Sequence, residues 1–146
     1  MLGEWNLESF NYEGTSEANF EGFDFSTTYS GVSENENFTL TFNENNTFES
    51  NGTYDVRLTV EGITQLVPLE TTTSTGDWSV NGNILTTSSL FTQVNGSPTQ
   101  SESVSEMRIT EITENRMVLS FDQESKVNQS GLDYTVTLIG EYILTK

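Results

Sequence analysis

The feature that most constrains this chain is an alternation. Phe48, Ser50, Gly52, Tyr54, Val56, Leu58 and Val60 share one parity, and Glu49, Asn51, Thr53, Asp55, Arg57 and Thr59 share the other. Successive side chains of a strand point to opposite faces, so a period of two predicts an extended strand with one face on a core and one in water. Gly52, with no side chain to pack, predicts a bend or bulge of the kind that turns a barrel corner. The same period recurs in Trp5 and Leu7 against Glu4 and Asn6, and in Phe38, Leu40 and Phe42 against Thr39 and Thr41. It returns at the end in Tyr134, Val136, Leu138, Gly140, Tyr142 and Leu144. Ala, the best helix former, occurs once, at Ala18, while Thr abounds. No window shows a 3.6-residue period, and the expected fold class is all-β.

The connections are read from turn chemistry. A polar loop is expected over Glu13–Gly22, then a strand over Phe20–Tyr29 and a turn at Ser33–Asn37. Asn43–Asn46 and Glu61-Gly62 read as hairpin loops, with a strand over Ile63–Leu69 that Pro68 ends or places at an edge. A linker or loop is expected over Glu70–Thr75 and a loop or frayed hairpin over Phe91–Ser103, with Asn81-Gly82 as a two-residue hairpin between strands. Strands through Met107–Ile112 and Met117–Phe121 follow, and Asp122–Leu132 reads as a polar loop before the last strand. That makes roughly eight to ten strands in one domain spanning residues 1–146. An up-and-down barrel is favoured over a two-sheet sandwich, because the first and last strands both alternate strongly and pairing them would remove the exposed edges.

Composition excludes several functions. The net charge is −17, with Arg57, Arg108, Arg116, Lys126 and Lys146 the only cations. No basic stripe for nucleic acid can be assembled, and anionic membrane surfaces are disfavoured. The absence of Cys and His removes thiolate chemistry, the commonest general base and the commonest metal ligand. Carboxylates sit at outward parity or in turns, so no paired catalytic set emerges and no enzyme is expected. The oxygen-rich segments Glu34–Asn37 and Glu44–Asn46 do not match a calcium loop with its spaced ligands and fixed Gly. No metal and no cofactor is expected. No run of 18 apolar residues and no charged start with an apolar h-region is present, so neither a transmembrane segment nor a signal peptide is expected, and Met1 reads as the start of a trimmed sequence.

Four segments in order carry a family resemblance: Leu2-Gly3-Glu4-Trp5-Asn6-Leu7, Leu40-Thr41-Phe42-Asn43-Glu44-Asn45-Asn46-Thr47-Phe48, Gly76-Asp77-Trp78-Ser79-Val80-Asn81-Gly82-Asn83-Ile84-Leu85, and Ile109 through Leu119. Together they resemble the lipocalin-like domains of Bacteroidetes envelope lipoproteins. The resemblance implies a calycin-type barrel, extracytoplasmic after removal of an N-terminal signal, with a possible lipid anchor outside this sequence. Gly3-Glu4-Trp5 also matches the Gly-x-Trp of lipocalins, whose Trp lies under a basic residue from the last strand; Lys146 is the residue that could serve here.

Candidate site residues follow from parity. Phe25, Tyr29, Phe42, Tyr54, Leu58, Trp78 and Tyr134 are expected to line the barrel interior as a ligand site, with Phe48 and Tyr142 in the same aromatic set and Trp5 as a structural floor. Arg57 and Arg108 fall on outward parity. Two functions stay open. The first is a non-catalytic carrier of a small apolar or amphipathic molecule, as monomer or weak dimer. The second is a filled barrel acting as an envelope interaction module through its loops. An eight-stranded barrel is just wide enough for either.

Overall fold

The computed structural model describes residues 1–68, 72–88, 106–129 and 132–146. They form nine strands: β1 (Gly3–Phe20), β2 (Phe23–Phe42), β3 (Thr47–Val60), β4 (Ile63–Pro68), β5 (Thr72–Asn81), β6 (Ile84–Thr87), β7 (Glu106–Ile112), β8 (Arg116–Gln129) and β9 (Leu132–Thr145). Every pairing is antiparallel, in the order β2-β1-β9-β8-β7-β6-β5-β3-β4, and a further β2–β3 pairing closes the ring. The all-β expectation and the barrel hold, with β1 and β9 as partners from Asn6↔Thr145 to Ala18↔Tyr134.

β3 serves two neighbours on one edge. Thr47–Gly52 pairs with β5, and Asp55–Val60 pairs with β4. The barrel therefore has two unlike ends. At the lower end, where β1 begins, eight strands close on themselves. Above it, among the described residues, the β7–β8 ladder stops at Arg108↔Ser120, and β4 and the upper half of β8 are not paired with each other. The β1–β2 and β8–β9 hairpins continue upward side by side as a four-stranded ribbon.

A corner crosses the sheet at mid-height. The β1–β2 register shifts between Asn6 and Asn11, and the β2–β3 register shifts between Glu34 and Asn37. Opposite the second shift lies Gly52 with φ +126, where an added Cβ would sit 2.0 Å from the Asn37 carbonyl oxygen. The predicted bulge at Gly52 is thus a glycine requirement. Where the shift takes away the backbone partner of Phe10, its N–H donates to Ser33 Oγ at 2.7 Å, and Ser33 in turn donates to Glu36 Oε1 at 2.5 Å. A buried hydroxyl here replaces a missing ladder bond.

Three expected loops are strand. Glu13–Phe20 belongs to β1, and the two-residue turn is Glu21-Gly22, both at positive φ as a type I′ hairpin requires. Ser33–Asn37 is a bulge inside β2, with Asn35 at φ +55, and not a turn. Asp122–Gln129 belongs to β8. Within the expected Glu70–Thr75 loop, residues 72–75 are in β5. The Phe91–Ser103 loop lies outside the described residues. Glu61-Gly62 turns as expected, but the β5–β6 turn is Gly82-Asn83, with Asn81 still paired to Ile84. Positive φ at Gly82 without positive φ at Asn83 fits a II′ hairpin.

Candidate functional site

The interior parity of the sheet carries a continuous aromatic column. Phe10 stacks on Tyr142 with centroids 4.3 Å apart and planes 5° apart, and on Tyr12 at 5.2 Å. Tyr54 meets Phe10 and Phe38 edge-on, Phe121 lies against Phe10 and Tyr142, and Tyr29 meets Tyr12 edge-on at 6.3 Å. All of these rings are buried.

Glycines make the room for them. Gly14 faces Tyr29, Gly31 faces Tyr12, Gly76 faces Phe48 and Gly140 faces Phe121, each pair directly opposed across two strands. A Cβ built on Gly31 would lie 2.1 Å from the Tyr12 ring, and one on Gly14 would lie 2.3 Å from the Tyr29 ring. Each ring lies across its partner's bare backbone, the arrangement in which an aromatic covers a strand glycine. Gly31→Ala is expected to destabilise by about 1–3 kcal/mol through overpacking. In a Tyr12→Leu background the same substitution should cost much less, so urea unfolding of the four proteins gives a double-variant loss smaller than the sum of the single losses.

Burial sets the chemistry of the column. Desolvation first, and Tyr29 second, push the Tyr12 phenol up to about 12, and the Tyr54 and Tyr142 phenols are likewise driven well up, chiefly by burial. A phenol protonated in the fold but ionising near its ordinary value of about 10 when unfolded contributes stability that is intact below pH 10. That stability falls as pH rises from about 10 toward 12. Phenolate absorbance from these tyrosines should therefore appear together with loss of β-sheet circular dichroism in an alkaline titration; phenolate formation in a fully folded protein would contradict the burial.

The expected site residues fall into three groups. Phe42, Tyr54, Leu58 and Tyr29 are buried within packed side chains. Trp78 sits at the lower end, half-buried, donating Nε1–H to the Thr47 carbonyl at 3.0 Å and meeting Phe42 edge-on. Trp5 is fully buried at the same end, donating to the Met1 carbonyl at 2.6 Å, with Lys146 Nζ 4.7 Å from its ring centroid. Lys146 thus takes the place over the Trp that the lipocalin pattern assigns to a basic residue. Tyr134 and Phe25 lie in the upper ribbon, where Tyr134 is half-buried and Phe25, expected inside, is 57% exposed. Phe25 has the inward parity of Tyr29, but it lies above the level at which the described strands face each other across the ring.

Sequence reasoning missed the row that results. Ala18 pairs with Phe25 on one side and with Tyr134 on the other, so the chain's only Ala separates two aromatics on adjacent strands. Phe23, 69% exposed, extends this face upward, and Val136 extends it downward. The signal was present in the shared parity of Ala18, Phe25 and Tyr134, but a loop expected over Glu13–Gly22 concealed it.

The outward side differs. A trough of about 360 Å³ crosses it, with Glu13, Thr15, Thr28, Thr59, Glu61 and Thr137 among its walls. Arg57 lies outward as expected, forked on Glu34 at 2.6 and 2.7 Å, and Arg108 is exposed. The Glu34–Asn37 segment thereby has its carboxylates engaged, Glu34 by Arg57 and Glu36 by Ser33. Among the described residues no group of three or more carboxylates is placed to hold a metal, and the buried polar residues are the hydroxyls Ser33, Ser50 and Thr87. None of the described residues forms a helix long and apolar enough to cross a membrane.

No curated protein and no solved structure matches the chain. A family profile described as a lipocalin-like domain matches residues 1–119, from the first strand into β8. Together with the closed antiparallel barrel and the Gly-x-Trp under Lys146, that match places the family: the chain belongs to the lipocalin-like domain family.

Proposed function

We propose that this protein is a non-catalytic binding module that holds a small apolar or amphipathic molecule at its upper end, against the inner face of the β2–β1–β9 ribbon. The observation that carries this reading is a pair of exposed rings, Phe23 and Phe25, in one row with buried Ala18 and half-buried Tyr134, above a column of packed rings. Exposed aromatics contiguous with a core mark an interaction site more often than isolated surface residues do. The family match supports a binding role, and the resemblance to envelope lipoproteins supports an extracytoplasmic place and an anchor carried outside this sequence. We take residues 1–146 as one unit, monomeric or weakly dimeric.

Titration with an apolar dye whose emission rises on desolvation tests this. Phe25→Ser removes one aromatic wall, worth about 1.5 kcal/mol or more than tenfold in affinity. Filling the ring with Leu58→Trp should leave binding at the upper end unchanged if the variant stays folded. Unaltered affinity in Phe25→Ser would overturn the site. The packed column favours a second reading, an envelope interaction module acting through its loops, and a dye that fails to bind at all leaves that reading in place.

A further inference from the structure

We infer that the molecule held at the upper end is uncharged and carries hydroxyl or carbonyl oxygens on the part that reaches toward the ring column. This rests on the binding site proposed above and specifies the chemistry of what enters it.

Strand pairing sorts the upper residues into inward rows. Phe25, Ala18 and Tyr134 form one such row across β2, β1 and β9. One pleat repeat below it, about 7 Å toward the closed end, Thr27, Ser16 and Val136 form the next, which Ser125 of β8 continues. Gln123 of β8 ends the row beneath, beside Leu138, Gly14 and Tyr29. Thr27, Ser16, Ser125 and Gln123 are all half-buried. A band of uncharged hydrogen-bonding groups therefore lies between the exposed rings and the packed column.

Charge is sorted the other way. Glu17, Asp24, Glu124, Lys126 and Asp133 alternate with the inward rows and have outward parity. Among the described residues paired within β1, β2, β8 and β9, no charged side chain has inward parity above Tyr12. A carboxylate or an ammonium drawn against this face would lose water and meet no counter-charge, whereas a hydroxyl or carbonyl would exchange its water for hydroxyls and an amide.

A second observation points the same way. At the foot of these rows the Tyr12 ring crosses the bare backbone of Gly31, and its hydroxyl is buried with no hydrogen-bond partner. A buried donor left unpaired is costly, so an oxygen that reaches it is bound with advantage. The body of the same molecule lies on Phe25 and Tyr134, and its oxygens point down the band.

Octyl glucoside, octanoate and octylammonium share a tail and differ in head. Each is titrated calorimetrically into the full chain below its micelle concentration, at physiological salt, where the general field of a protein at −17 is screened. The glucoside is expected to bind at least about tenfold more tightly than either ion. The double variant Ser16→Ala, Thr27→Val removes two hydroxyls and should weaken the glucoside about fivefold or more, while an apolar dye binds as before. Tyr12→Phe should keep the fold at least as resistant to urea as the parent and also weaken the glucoside; lost stability with unchanged glucoside affinity would make that hydroxyl a structural group. Equal binding of the three heads, preference for an ion, or a glucoside that fails while the dye binds overturns the inference and leaves the apolar site standing. Glucoside affinity unchanged in both the double variant and Tyr12→Phe overturns it too. A dye that binds without regard to Phe25→Ser removes the site itself and the inference with it.

Discussion

Trp5→Ala is expected to destabilise the protein by about 3–5 kcal/mol, a large share of the 5–15 kcal/mol typical of a domain. Trp5 is the largest fully buried side chain among the described residues, so its loss leaves a large cavity. Below it the indole is tied to the Met1 carbonyl, and Lys146 from the last residue of the chain lies across its face. The substitution therefore removes packing volume and also the contact that ties the two chain ends at the closed end. Trp5→Phe should be far milder, losing the N–H bond, worth about 1 kcal/mol, and some area. Urea unfolding followed by circular dichroism measures both. A loss below about 1 kcal/mol for Trp5→Ala would mean that the lower end is loosely packed.

Phe10→Ala should cost a similar amount, about 3–5 kcal/mol, and for a different reason. Its ring contacts Tyr12, Tyr54, Phe121 and Tyr142, which come from four strands. Each aromatic pair contributes about 0.5–1.5 kcal/mol beyond burial, though the contributions of neighbours do not add. The same variant distinguishes a filled ring from a hollow one. In a filled ring, deleting Phe10 opens a dry apolar cavity, and the variant gains binding of benzene-sized molecules that the parent lacks. A parent protein that already binds them equally well would show that the column does not fill the ring.

The elements most legible in the sequence were those with one face on the column and one in water. Phe48–Val60 and Tyr134–Leu144 read as strands because burial alternates along them with the period of the pleat. Where that contrast fades, legibility fades with it. Asp122–Gln129 continues β8 above the ring, and polar residues such as Gln123 and Ser125 stand where inward parity would call for apolar ones. Gly14 falls in the expected Glu13–Gly22 loop, yet it is in a strand, with the Tyr29 ring occupying the place of its side chain. Ser33–Asn37 reads as a turn by composition, and its polar groups instead serve a bulge, with Ser33 completing the ladder of β1. Of the candidate site, the parity of Phe25 and Tyr134 was legible, but their height was not. Height depends on which strands stand across from the ribbon, a property of residues distant in the chain.

The pairing of β1 with β9 has a consequence for how the chain is made. β9 lies beyond residues 1–119, yet it holds one edge of β1 along nearly its whole length. During synthesis at about 5–20 residues per second, that edge waits on the order of ten seconds for its partner to emerge. A long unpaired strand edge is a template on which nascent copies join one another. Glu4, Glu8, Glu13 and Glu17 punctuate the outward side of β1, and two such edges brought together repel. Negative charge that the finished barrel hardly needs thus keeps newly made chains apart until closure.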